Sequence, residues 1–82
     1  MIKIDKRKAR NLYNRGISIY LLPCKVRLNN AWYTPHEINI NDYPYESDSF
    51  DKHVNAYEYY NCQYNELGYY ASYYIKEESF NE

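Results

Sequence analysis

Glycine is nearly absent from this chain: Gly16 and Gly68 are the only two in 82 residues. A backbone cradle for phosphate needs several glycines close together, so that chemistry is excluded. Cysteine is as sparse, and Cys24 and Cys62 lie far apart. With His36 and His53 they form a series separated by 12, 17 and 9 positions. Zinc sites draw ligands in close pairs from a single turn, so this spacing does not make a metal site. The same four residues lack a nucleophile elbow, an oxyanion loop or a third orienting group, which argues against covalent catalysis. Two free buried thiols are the expectation. No apolar stretch approaches the ~20 residues of a membrane span. The longest, residues 17–22, is broken by Ser18. Residues 1–10 are charged and lack the apolar centre of a secretory signal. These absences predict a cytoplasmic, non-enzymatic protein with no cofactor, metal or membrane partner.

What the chain does hold is sorted charge and much tyrosine. Up to Arg27, eight Lys/Arg face the single acid Asp5, a net of +7. The remainder carries ten acids against Lys52 and Lys76, a net of −8. Such asymmetry speaks of partners rather than of fold. There are thirteen tyrosines, most of them from Tyr43 onward. A tyrosine joins an apolar ring to a polar tip, and a domain this small cannot bury thirteen of them. Several must be exposed, which favours a binding surface.

Residues 1–82 make one domain, with 76–82 reading as a frayed acidic tail. Residues 4–15 predict a helix: Asp5 can cap it, Ala9, Leu12 and Tyr13 share a face, and Gly16 can end it. From Gly16 the period becomes two, and Ile17, Ile19 and Leu21 mark the inner face of a strand. Pro23 implies an edge or a bulge. Asn29–Asn30 predicts a tight hairpin that sets Val26 and Leu28 against Tyr33 and Ala31, with Arg27 across from Trp32 as a cation–π pair. Ile38 and Ile40 resume a short alternation, and residues 39–49 read as a loop. Asp48 or Ser49 can cap a second helix with Phe50, Val54 and Tyr57 inward and Asp51, Asn55 and Glu58 outward. That helix should stop near Tyr60 and a loop should follow to Gly68, although 57–60 also fits a strand. Residues 69–76 read as the last strand. The expected fold is α+β: a small, mainly antiparallel sheet of three to four strands with two helices, covered on one face.

Two surfaces compete for function. Asp42, Glu46, Asp48, Asp51 and Glu58, interleaved with Tyr43, Tyr45 and Tyr59, could imitate nucleic-acid phosphates and enter a basic groove on a partner protein. Alternatively Lys6, Arg7, Lys8 and Arg10, with Lys25, Arg27 and Trp32 on an adjoining ribbon, could bind nucleic acid directly. That alternative needs the acidic and basic poles on opposite faces. A homo-oligomer built head to tail between the poles is a third arrangement.

The block GISIYLLPCKVRLNN (16–30), with Trp32 two residues on, and YYNCQYNELGYY (59–70) resemble small proteins of phages and conjugative elements in Gram-positive bacteria. Such proteins are similar in size and acidity to phage-encoded inhibitors of host defence, including anti-CRISPR and antirestriction proteins. The resemblance implies an inhibitor acting in the cytoplasm of an infected or element-bearing bacterium, with a host nuclease or CRISPR effector as partner.

Overall fold

A computed structural model describes residues 1–42, 48–63 and 67–80. Among the described residues the α-helices and strands run β1 (Ile2–Ile4), α1 (Lys6–Asn14), β2 (Ile19–Pro23), β3 (His36–Ile38), α2 (Phe50–Glu58) and β4 (Ala71–Ile75). The four strands form one antiparallel sheet in the order β1-β4-β2-β3. The α+β class expected from the pattern is the fold observed.

Both ends of α1 follow from local chemistry. The Asp5 carboxylate accepts the Lys8 N–H at 2.8 Å, supplying one of the four donors a helix start leaves open. At the other end the Gly16 N–H bonds the Tyr13 carbonyl and the Ile17 N–H bonds that of Leu12. This is a complete Schellman cap, and it needs the positive φ of +89° that Gly16 adopts. Ser49 starts α2 in the same manner as Asp5, accepting from the Lys52 N–H at 3.1 Å.

Both helices lie on one face of the sheet. Ala9, Leu12 and Tyr13 of α1 and Phe50 and Val54 of α2 pack on Ile19, Leu21, Ile38, Tyr73 and Ile75. Tyr13 and Phe50 meet edge to face at 5.6 Å, and the Tyr13 hydroxyl donates to the Asp48 carbonyl at 2.8 Å. Burial and the nearby Asp48 and Asp42 raise the Tyr13 pKa. The opposite face is covered as well, a departure from the one-sided sheet expected. Tyr20, Leu22, Tyr74 and Val26 form a second cluster, with Leu28 and Leu67 packed on it. Every residue of β2 and β4 is consequently buried.

Four further local expectations are corrected. The hairpin at Asn29–Asn30 does not form. The Cys24 and Lys25 N–H groups are taken by the Tyr70 and Leu67 carbonyls, and Val26 and Leu28 turn onto the sheet instead of extending along it. The partner of β2 is therefore β3, beginning at His36, and Arg27 and Trp32 form no ribbon. Residues 59–63 continue α2 as a π turn (Tyr59–Gln63), neither loop nor strand. β1 was hidden as an Ile-Lys-Ile run that merges into the helix signal. Where the tail reads as frayed, Glu77–Ser79 form a 3-10 turn, and the Lys8 Nζ sits 4.9 Å from the Phe80 ring centroid.

Pro23 keeps its predicted logic in a modified place. It ends β2, an interior strand. The Cys24 N–H points to β4, so by alternation the Pro23 nitrogen faces the other side, where β3 has already stopped at the Leu21–His36 pair. No ladder bond is lost there.

Candidate partner-binding surface

An open cleft of about 880 Å³ lies between β3 and α2. Its walls are residues 33–34 and 36–39 on one side and Lys52, His53, Ala56, Tyr57, Tyr60 and Asn61 on the other, with Asp42 and Asp48 also lining it. Two strands of logic build it. Val54 and Phe50 pull α2 onto the sheet, while among the described residues no strand pairs with the outer side of β3, an edge strand three residues long. His36 and Tyr57 stack across the cleft base at 5.6 Å and 13°. The Tyr57 hydroxyl donates to the Leu21 carbonyl at 3.2 Å, fixing the ring, and burial drives its pKa well upward. Tyr57 remains a neutral donor throughout the physiological range.

Tyrosine crowds the adjoining end. Tyr60, Tyr69 and Tyr70 are each 68% exposed and Tyr59 is 57% exposed. The two doublets are brought together by one contact, in which the Glu58 Oε2 accepts the Ala71 N–H at 2.9 Å. Tyr59 follows Glu58 and Tyr70 precedes Ala71, so both doublets flank that bond. Tyr59 and Tyr60 meet edge to face at 5.0 Å. These rings add apolar area to the surface that no part of the core uses.

The acids proposed for this surface divide. Asp42 is exposed and lines the cleft, as does Asp48, whose carboxylate pairs with Lys52 at 2.9 Å. Asp51 turns away to α1 and pairs with Arg10 at 2.8 Å. The hydrogen bond from Arg10 holds the Asp51 carboxyl below the usual carboxylate range. Glu58 is corrected outright. At 8% exposure it is no surface acid, because its carboxylate is spent on a β4 backbone donor. Tyr43, Tyr45 and Glu46 lie outside the described residues.

The alternative basic surface is broken up. Lys6, Arg7 and Lys8 are exposed on α1, on the helix-covered side of the sheet, and Arg10 is engaged with Asp51. Lys25 and Arg27 flank Val26, which packs on the other side. Trp32 is 88% exposed. The two charged poles, far from sitting on opposite faces, touch at Arg10–Asp51.

Cys62 is buried and its thiol is pushed up to about 11, chiefly by burial and then by Glu58 and Cys24. Cys24 is free and exposed, against the expectation of two buried thiols. Among the described residues no three His, Cys, Asp or Glu side chains gather as metal ligands, and no helix is long and apolar enough to cross a membrane. Sequence reading passed over His36, Tyr57, Tyr60, Tyr69 and Tyr70. The tyrosine doublets were a usable signal, since adjacent residues on a helix or strand cannot both face one core. Comparison with protein-family models, curated proteins and solved structures finds no match to this chain.

Proposed function

We propose that this chain is a non-enzymatic inhibitor that binds a host defence nuclease, a CRISPR effector first among them, on its basic nucleic-acid groove. The observation that carries the reading is the tyrosine-rich end. Four tyrosines stand more than half exposed on a fold whose core closes without them, and one of the four, Tyr60, lines the cleft with Asp42 and Asp48. Aromatic anchors beside carboxylates suit a basic protein surface, the rings supplying contact area and the acids guiding encounter. The split of the basic residues between two sides of the sheet favours this reading over direct nucleic-acid binding. The setting comes from the resemblance of residues 16–30 and 59–70.

The test is DNA cleavage by purified CRISPR effector ribonucleoproteins of Gram-positive bacteria, with increasing amounts of this protein. Inhibition should saturate near one protein per effector. It should weaken in a folded Tyr60→Ala/Tyr70→Ala double variant and persist in Lys6→Glu/Lys8→Glu. Inhibition lost only in the lysine variant, or binding of the isolated protein to DNA, would overturn the reading.

A further inference from the structure

We propose that the free edge of β3 accepts an extended, basic segment of the partner protein as a fifth, antiparallel strand seated in the cleft beside α2. This rests on the protein-binding reading above and names the chemistry that the site would recognise.

The register assigns the free groups. The Cys24 N–H bonds the Tyr70 carbonyl, so Leu22 and Tyr20 also direct their backbone groups to β4, while Leu21 and Ile19 direct theirs to β3. Leu21 pairs with His36 and Ile19 with Ile38, which leaves the N–H and C=O of Glu37 pointing outward from the sheet. Glu37 is exposed and lines the cleft. An added strand would bond to that donor and acceptor, the mode by which sheet edges capture peptides against a neighbouring helix.

Side-chain alternation then predicts what the segment carries. Glu37 lies across from Tyr20, and its Oε2 accepts from the Ser18 hydroxyl at 2.6 Å, so its carboxylate is on the sheet face away from α2. The incoming residue opposite Glu37 presents its side chain on that same face, and a Lys or Arg there completes a cross-strand charge pair. The residues before and after it point the other way, alongside His36 and Ile38, into the cleft walled by Tyr57 and Tyr60. Those positions suit apolar side chains. The preferred segment is thus apolar–basic–apolar, and Asp42 at the cleft adds to its preference for positive charge.

The probe is the capped peptide acetyl-Thr-Ser-Ile-Arg-Ile-Ser-Thr-amide, titrated into the isotope-labelled full chain and followed through backbone amide resonances. Saturable shifts should centre on Glu37 and its neighbours on β3 and reach α2. Methylating the central arginine nitrogen of the peptide, which removes its N–H, should weaken binding about ten-fold. Glu37→Pro should do the same, because proline is tolerated on an edge strand where its nitrogen faces outward. Glu37→Lys should weaken binding about two- to five-fold and shift preference toward a peptide with a central glutamate. Absence of shifts at Glu37 at millimolar peptide would overturn the proposal, as would equal binding of the methylated peptide, which needs no protein variant. Peptide binding without nuclease inhibition would refute the function proposed above and leave this edge site standing. Nuclease inhibition retained in a folded Glu37→Pro variant would refute this edge as the partner's seat and leave the function standing.

Discussion

Removing the Glu58 side chain should be among the most damaging single changes to this fold. Glu58 is 8% exposed, and its carboxylate accepts the first N–H of β4 at 2.9 Å. In Glu58→Ala the Ala71 N–H is left in a buried place with no acceptor, and a hydrogen bond to a charged group contributes about 1.5–3 kcal/mol. For a domain of this size each kcal/mol moves the melting temperature by roughly 4–8 °C, so a fall of about 6–24 °C is expected. Glu58→Gln keeps a side-chain oxygen at the same reach and should lose less than about 1 kcal/mol. The Gln variant should also lower the Cys62 pKa from about 11, since the Glu58 charge is the second cause of its rise after burial. Thermal and urea unfolding followed by circular dichroism measures the first pair of effects, and thiol titration the last. An alanine variant within about 0.5 kcal/mol of wild type would refute the assignment of this bond as the clamp between α2 and β4.

Three other outcomes follow from the packing. Alkylation of the native protein at mildly alkaline pH should label Cys24 and spare Cys62 until denaturant is added, read as mass increments, because Cys24 is exposed and the Cys62 thiol stays protonated up to about pH 11. Gly68→Ala should destabilise by about 1–3 kcal/mol in urea unfolding, since Gly68 has φ of +103° and an added Cβ would overlap the Cys24 Sγ. Asp51 is held below its ordinary pKa by Arg10, so its contribution is present above the unfolded carboxylate value and is lost as pH falls through the folded one. Urea midpoints of wild type and Asp51→Asn should therefore differ at neutral pH and converge in acid, and a gap that widens in acid would contradict the ion pair.

The helices were legible because each is written in short-range chemistry. Asp5 and Ser49 stand one residue before the first helical residue, and Gly16 stands two after the last residue of α1. β2 and β4 were legible from their apolar and aromatic density. The hairpin failed because Asn29–Asn30 is only a local preference, and it is overridden by two backbone bonds from 24–25 to residues more than forty positions away. Glu58 failed for a similar reason: helical phase places it near Val54, and only the arrival of β4 supplies the donor that makes burial of a carboxylate favourable. The cleft itself is a property of two elements that meet only in three dimensions, so no window of sequence contains it. What the chain did announce was its surplus of tyrosine.

The place of β4 in the sheet dictates an order of assembly. It is the last strand along the chain, yet it lies between β1 and β2, with Ile2 opposite Ile75 and Leu22 opposite Ser72. Until residues 71–75 arrive, β1 has no neighbour, so the earlier segments can pair β2 with β3 but cannot join β1 to them. Closing contacts that distant in sequence is slow for a chain this short, and the transition state must already bring its two ends together. Labels or fusions that hold those ends apart should therefore retard folding itself, well before they interfere with any partner.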